Sequence, residues 1–276
     1  MASAAEPTHS FHAQAEILSG QLQHPLNQTI QPQAYVKLPE EGGYRSERAE
    51  NYRLEGVLSF KSAYTQVAGN RSLKGDRGWV TLVTSVVEGL NILDVVTADR
   101  VVGQASTHHP FQGHVPAVTF LGTRFENLKI NGHHVNPVLD LEICGPRPAD
   151  DKPYFEDPAF LGRVQKQRAA ISGAKNLPDW ARQKYDWNSS AAQKGEVECS
   201  LVSSVVHPGM GTSFGNVFVV PDFGKIFLAE LTLNRQNKNE PHSYAFNLTM
   251  IRTELGCIAH GTTTTINFSV NGTSRP

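Results

Sequence analysis

Two matching runs of β-branched residues constrain the fold of this chain more than any other feature. Leu82–Val87 reads LVTSVV and Leu201–Val206 reads LVSSVV, so the two runs differ only by one threonine-to-serine exchange. β-branched side chains lose rotamer freedom in a helix but pack well on a pleated sheet, so both runs predict strands. Their similarity also raises the hypothesis of an internal repeat, with two related β units in one chain.

Alternating polarity extends the strand prediction over both halves of the chain. Apolar and polar residues alternate over Leu54–Tyr64, and Ile266, Phe268 and Val270 fall on one face of a strand near the C-terminus. The pair Asn131-Gly132 predicts a hairpin turn, because both residues tolerate positive φ. With 23 glycines, 16 prolines and 18% charged residues, the chain is predicted to be mainly β: an antiparallel β sandwich or barrel with a short helical insertion.

Composition divides the chain into three parts. Residues 1–145 form an N-terminal β half, residues 146–194 a Pro-rich linker with a helical insert, and residues 195–276 a C-terminal β half. Domains of fewer than about 100 residues bury a smaller share of their surface than larger domains do. We therefore expect the two β halves to pack into the same β domain.

The insert contains the clearest helix signal in the chain. Asp157 is suited to the N-cap, Pro158 to the first turn and Gly173 to the end of a helix. Phe160 and Val164 follow helical spacing, but the apolar stripe is only partial, which predicts a helix lying on the surface of the β domain.

Charge and composition bear on partners and compartment. The 276 residues include 25 basic and 26 acidic ones, for a formal net charge of −1, so we expect no nucleic-acid partner. No apolar run reaches the ~18–20 residues of a membrane-spanning helix, and the first residues lack the apolar centre of a signal peptide. As given, the sequence predicts a cytoplasmic protein; removal of a leader would place it outside the cell or at the cell surface.

Five of the 11 histidines form two groups that we predict as candidate metal ligands. If the strands between them pair as a hairpin, both groups fall at one end of the sheet. Zinc, copper or nickel would find two or three imidazoles there, with Asp99 or Glu126 as a carboxylate partner. The alternative is that neighbouring histidines on a strand point to opposite faces, so that one of each pair at most faces a common site. The five are His108, His109 and His114 in a Pro/Gly loop, and His133 and His134 after the Asn131-Gly132 turn.

Other chemistry finds little support in the sequence. There is no Gly-x-Ser-x-Gly element, and the glycine-rich stretch near residue 210 lacks the Lys-Ser/Thr pair of a phosphate loop. Catalytic residues and any cofactor therefore stay unassigned, and we predict no cofactor-binding residue. The three cysteines, Cys144, Cys199 and Cys257, match no paired metal-ligand spacing; three buried thiols are favoured over one disulfide and one free thiol.

One segment resembles known proteins. Val83–Val135, with "VTAD" followed by "VTFLGTRFENLKINGHHV", resembles a segment of uncharacterised β-rich bacterial proteins, including some actinobacterial surface proteins with a C-terminal anchor. The resemblance implies a β-rich, exported protein and defines no catalytic residue.

These observations lead to two hypotheses of different classes. The first is a non-catalytic binding or structural bacterial β protein of unknown ligand, able to self-assemble as a homo-oligomer. The second is a metal-dependent enzyme in a β-barrel that uses the loop histidines as ligands.

Overall fold

A computed structural model describes most of the chain. The described residues are 8–24, 27–54, 56–73, 78–174, 177–187, 194–206, 212–236, 242–256 and 259–275. Among them, none of the helices has both the length and the apolar character needed to cross a membrane.

The described residues form nineteen strands and two α-helices. The strands of the N-terminal half are β1 (Thr8–His24), β2 (Gln28–Gln33), β3 (Val36–Lys37), β4 (Gly43–Leu54), β5 (Leu58–Arg71), β6 (Trp79–Ile92), β7 (Val96–His109), β8 (Ala117–Thr119), β9 (Arg124–Glu126), β10 (Lys129–Ile130), β11 (His133–His134) and β12 (Asn136–Leu139). The helices are α1 (Pro158–Ser172) and α2 (Asp179–Tyr185). The remaining strands are β13 (Glu196–Ser200), β14 (Val202–Val206), β15 (Thr212–Phe214), β16 (Val217–Val220), β17 (Gly224–Arg235), β18 (Tyr244–Gly256) and β19 (His260–Arg275).

The strands pair into two large antiparallel sheets and one small one. The first sheet has the order β15-β16-β17-β18-β19-β1-β2, with β13 paired to β17 and β3 paired to β1. The second has the order β11-β10-β7-β6-β5-β4, with β8 and β9 also paired to β7. Strands β12 and β14 form a separate two-stranded sheet.

The two large sheets face each other and enclose the core. Strand β1 packs on β5 and β6, and β19 packs on β6 and β7. The sheets approach so closely at Gly103 that a Cβ atom there would lie 2.7 Å from Cγ2 of Ile266 and 3.1 Å from Cγ of Met250. Glycine at this position therefore permits the contact between the sheets.

The predicted mainly β fold with a short helical insertion is confirmed, and of the two architectures the sandwich is present. Within the described residues both large sheets end in edge strands, so neither closes into a barrel. The predicted hairpin turn is also confirmed, because Asn131 and Gly132 have φ values of 51° and 77° between β10 and β11.

Strand β1 links the two ends of the chain. It pairs with β19 from Thr8↔Arg275 to His24↔His260, so the N-terminal strand lies in the sheet of the C-terminal strands. This pairing brings His9 opposite Ser274.

The two matching β-branched runs occupy different positions. Val86 and Val87 lie in the centre of the second sheet and are 1% and 0% exposed. Val205 is partly buried and Val206 is 63% exposed, in the two-stranded sheet of β12 and β14. The runs are thus similar in residues but not in environment, and the internal repeat stays a prediction.

The helical insert lies against the first sheet. Helix α1 has the predicted ends: the carboxylate of Asp157 accepts from the backbone N–H of Phe160 at 2.9 Å, Pro158 is in the first turn, and Gly173 is the C-cap. Trp180 on α2 lies 5.6 Å from the ring of Phe214, measured between centroids.

Candidate metal centre

Three distant parts of the chain meet at one end of the sandwich. The loop after β7 brings His114, the short 3-10 turn at Ala149–Asp151 brings Asp151, and the residues before β18 bring His242. One nitrogen from each imidazole and a carboxylate oxygen all lie within 4.8 Å of one another. These residues are partly buried, and we call them the His-Asp-His group.

The backbone of β19 sets the tautomer of His114. Its Nδ1 lies 2.9 Å from the carbonyl oxygen of Ser274. A carbonyl oxygen only accepts, so Nδ1 carries the proton and donates it, which leaves the lone pair of Nε2 available. Metal-binding histidines usually have their second nitrogen fixed in this way.

Two backbone amides hold the carboxylate of Asp151. Its Oδ1 accepts from the N–H groups of His114 and Val115, both at 2.9 Å, and its Oδ2 accepts from His114 N–H at 2.8 Å. Neutral amide donors leave the charge of the carboxylate in place and leave lone pairs unused. Asp151 therefore fixes the loop and also places a negative charge beside His114.

His242 completes the group by stacking on His114. The ring centroids are 4.5 Å apart, and the planes are inclined by 18°. Nδ1 of His242 is buried and has no hydrogen-bond partner among the described residues. Burial lowers the pKa of His242, and the neighbouring His114 lowers it further, against the opposing effect of Asp151 and Glu156. A neutral imidazole is the form that binds a metal ion.

The spacing of the group is compatible with a transition-metal ion after a small closure. Zn–N and Zn–O bonds near 2.1 Å in a tetrahedral site separate neighbouring ligand atoms by about 3.4 Å. The separations here are at most 4.8 Å, so the donor atoms need to approach by up to about 1.4 Å, and the stacked rings of His114 and His242 also need to tilt so that their lone pairs point to one ion. Two imidazoles and one carboxylate are a donor set suited to zinc and to other divalent transition metals.

A second pair of histidines lies behind this group, between the two sheets. The rings of His9 and His109 are 4.7 Å apart, and His9 also stacks on Trp79 at 5.1 Å. Nδ1 of His9 is 2.9 Å from Oγ of Ser274, the same residue whose carbonyl oxygen orients His114. Strand β19 therefore connects the two pairs of histidines.

Burial keeps this second pair neutral. His109 is 0% exposed, and neither of its ring nitrogens has hydrogen-bond geometry with a described group. Burial lowers its pKa well below 6.5, His9 lowers it further, and the backbone of Gly272 partly opposes the shift. Burial also lowers the pKa of His9, to about 4.

The structure separates the five predicted histidines. His108 and His109 lie at the end of β7. His133 and His134 form β11, which pairs with β10. Strand β10 in turn pairs with the start of β7, at Val96 and Thr97. Twelve residues of strand place the two groups roughly 40 Å apart. The five imidazoles therefore do not share one site.

Individual outcomes follow from this separation. His114 belongs to the His-Asp-His group. His109 points into the core while His108 is partly exposed, as the alternation along a strand predicts. The two expected carboxylate partners are engaged elsewhere: Asp99 accepts from Asn127 at 3.0 Å, and Glu126 pairs with Arg124 at 2.7 Å.

Sequence reasoning missed Asp151, His242 and His9. Asp151 lies in a Pro-rich linker, and His242 follows a polar loop, so neither has a ligand spacing that a local pattern would reveal. Their proximity depends on how the connections between strands cross the same end of the sandwich. The only sequence feature that could have pointed to His9 and His242 is the presence of single histidines near predicted turns.

Fold and site together define a mainly β sandwich domain with a His-Asp-His group that could hold a metal ion. The chain belongs to the DUF8256 family, described as a domain of unknown function, whose model matches residues 9–234. That match includes His9, His114 and Asp151 and ends before His242. No curated protein matches the chain, and no solved structure does.

Proposed function

We propose that this protein binds one divalent transition-metal ion, with zinc as the first candidate, through Nε2 of His114, a carboxylate oxygen of Asp151 and a ring nitrogen of His242. The observation that carries the proposal is the orientation of His114: its Nδ1 is committed to the carbonyl of Ser274, so its free nitrogen is the one that can bind a metal ion. The carboxylate offsets part of the ion's charge.

Binding without catalysis is the role we favour. Backbone contacts position two of the three donors, Asp151 and His114, in the absence of an ion. A site of this kind stabilises the folded chain, because the ion binds the native state and not the unfolded one. The ion would tie the insert to both sheets at this end of the sandwich.

Metal-dependent catalysis is the second candidate. Three protein ligands leave one position of a tetrahedral ion for water or a substrate, as in catalytic zinc sites. Hydrolysis of p-nitrophenyl acetate by the zinc-loaded protein, above the rate of the His114→Ala/His242→Ala variant, would support this candidate over simple binding.

We do not extend the proposal to assembly through the sheet edges. Strand β4 exposes Arg45, Glu47, Arg48 and Glu50, and the edge strand β2 contains Pro32. Charges and proline on edge strands disfavour pairing with another chain. A homo-oligomer is therefore not expected to form through the β2 or β4 edge.

The test is a calorimetric titration of metal-free protein with Zn²⁺, supported by the visible absorption of the Co²⁺ form. We expect one ion per chain and a loss of at least about 100-fold in affinity for the His114→Ala/His242→Ala variant. Asp151→Asn keeps one oxygen to accept from the amides but removes the charge, so it should weaken binding by about 10- to 100-fold.

The matched control is His133→Ala/His134→Ala, which removes two histidines at the far end of β7. It should bind Zn²⁺ like the unmodified chain. Equal loss in the two double variants, or no binding by the unmodified protein, would refute the proposal.

A further inference from the structure

A cleft of about 780 Å³ lies on the insert side of the molecule, away from the His-Asp-His group. It is bounded by α1, by β14 and by β15. Cleft volumes of this order accommodate drug-sized ligands. Its apolar lining includes Ile171, Val202, Val205 and Phe214, of which all but Val205 are more than nine-tenths buried.

Hydrogen bonds fix the distance between the helix and the strand that form the walls. The side-chain amide of Gln167 donates to the carbonyl oxygens of Ser200 at 2.7 Å and Val202 at 3.3 Å. Its oxygen accepts from the N–H of Ser200 at 2.9 Å. Because both the NH₂ group and the oxygen of this amide are hydrogen-bonded, α1 is held at a fixed position relative to the start of β14. The cleft is therefore preformed.

Two cations on the same helix face the cleft. Arg163 donates from Nε to the carbonyl of Ile143 at 2.7 Å and from one Nη to that of Cys144 at 2.6 Å. Lys166 lies one turn further along and is exposed. Within the described part of the chain, no carboxylate lies within 4.0 Å of either cation.

One acidic residue also lines the cleft. The carboxylate of Asp140 accepts from the backbone N–H of Glu142 at 3.1 Å, which directs one of its oxygens to its own turn. The lining therefore carries two positive charges against one negative charge, beside an apolar surface. An apolar surface next to unpaired cations is complementary to an amphipathic anion.

We propose that this cleft binds a small organic carboxylate with an apolar body. The carboxylate pairs with Lys166 and with the remaining donors of Arg163, and the body lies on Ile171, Val202 and Phe214. None of the three residues of the His-Asp-His group lines the cleft, so this inference stands apart from the proposed function and is tested on metal-free protein.

The experiment compares three ligands with a ten-carbon chain: decanoate, decanol and decyltrimethylammonium. The two charged compounds are used below their micellar concentrations and decanol below its solubility limit. Calorimetric titration should show one decanoate per chain and binding at least about tenfold weaker for the neutral and cationic compounds. Raising the salt concentration should weaken decanoate binding and leave decanol binding unchanged, because salt screens only the charge interaction.

Three variants locate the site. Lys166→Glu should reduce decanoate affinity by about tenfold or more, and Lys166→Arg should keep it within about threefold. Ala170→Trp, at an exposed position in the lining, should fill the cleft and weaken all ligands. Lys61→Glu, an exposed lysine on β5, is the matched control and should bind like the unmodified protein.

Several outcomes would overturn the inference: no decanoate binding, equal affinity for decanoate and decanol, or equal effects of Lys166→Glu and Lys61→Glu. A circular-dichroism spectrum of each variant shows whether a variant that does not bind decanoate is still folded.

Discussion

Two polar clusters in this molecule contrast in how their groups are satisfied. Under α2, Glu230 is 9% exposed in its side chain and accepts two hydrogen bonds from Arg252, at 2.5 and 3.0 Å. Lys184 pairs with the same carboxylate at 3.2 Å and also with Glu198, and Lys225 pairs with Glu254 at 2.9 Å. We call this set the ion-pair network.

At the other cluster, around His9, His109 and His242, several buried ring nitrogens lack partners among the described residues. Buried polar groups are nearly always hydrogen-bonded, so an unsatisfied group calls for a reason such as an ion, a water or a function. The ion-pair network is complete and fastens α2 to the sheet. At the histidine end, the unsatisfied ring nitrogen of His242 is a group that the proposed metal ion would satisfy.

The pKa shifts reflect the same contrast. Burial alone would lower the pKa of Arg252, but its hydrogen bonds to Glu230 and Glu254 outweigh burial and raise it. At the histidine end, burial is the leading cause and lowers the pKa values of His9 and His109. The protein therefore stabilises the positive charge of Arg252 in the ion-pair network and disfavours a positive charge on His9 and His109.

Breaking the ion-pair network should have the largest effect. Arg252→Ala removes the main partner of a buried carboxylate and a guanidinium that lies 3.7 Å from the ring centre of Phe227. We expect a loss of about 3 kcal/mol in the free energy of unfolding, measured in urea, since uncompensated buried charge is strongly destabilising. The exposed pair Arg48–Glu50 is the control: Arg48→Ala should change stability by less than about 1 kcal/mol. Equal effects would contradict the contrast.

Metal binding should give the next largest effect. Zn²⁺ at about 100 times its dissociation constant should add about 2.7 kcal/mol to the free energy of unfolding, because it binds the folded state. The Arg252→Ala variant should show the same increment from a lower starting value, whereas His114→Ala/His242→Ala should show none. An increment lost in Arg252→Ala would mean that the two clusters are coupled.

Acid should weaken the metal-free protein through the second histidine pair. The pKa of His9 is about 4 in the fold and 6.5 when unperturbed, and that of His109 is also lowered. Their neutral forms favour the folded state fully above pH 6.5, and this contribution is lost as the pH falls toward 4, because the unfolded chain takes up protons first. We expect a loss on the order of 1 kcal/mol by pH 5, followed by urea unfolding with a chelator present.

The smallest effect is expected for His109→Leu at pH 8. An apolar side chain of similar volume replaces a ring whose nitrogens have only a weak contact with the backbone of Gly272, so the change should be under about 1 kcal/mol. The variant should also reduce the acid-dependent loss. A large loss in the free energy of unfolding at pH 8, or an unchanged dependence of that free energy on pH below 6.5, would show that His109 has a partner in solution.

Local sequence patterns predicted much of the fold, because helix capping and turn formation depend on interactions between neighbouring residues. The ends of α1 at Asp157 and Gly173 and the turn at Asn131-Gly132 depend on a few neighbouring residues. Of the three cysteines, Cys144 and Cys199 are buried free thiols, as favoured; Cys257 lies outside the described residues. Burial raises the pKa of the Cys199 thiol to about 12, which is consistent with a core role.

The candidate site was much less predictable. His114 was among the predicted histidines and lies in the His-Asp-His group, but His133 and His134 lie at the other end of β7. The true neighbours come from segments that local spacing does not connect, and His9 reaches the site through the pairing of the first and last strands. The sequence shows where the histidines are along the chain, but the pairing of the strands determines which of them lie close together.

The sequence by itself determined the strands, the helix ends and the turns, since propensity, alternation and capping act over a few residues. Tertiary structure decided which sheet each strand joins, and it imposed details that local preference opposes. Ile266 is fully buried in β19 at a φ of 53°, an unfavourable conformation for a β-branched residue, where the pairing of β18 and β19 is interrupted. Packing between the sheets outweighs that local cost, and the same long-range contacts bring His114, Asp151 and His242 together.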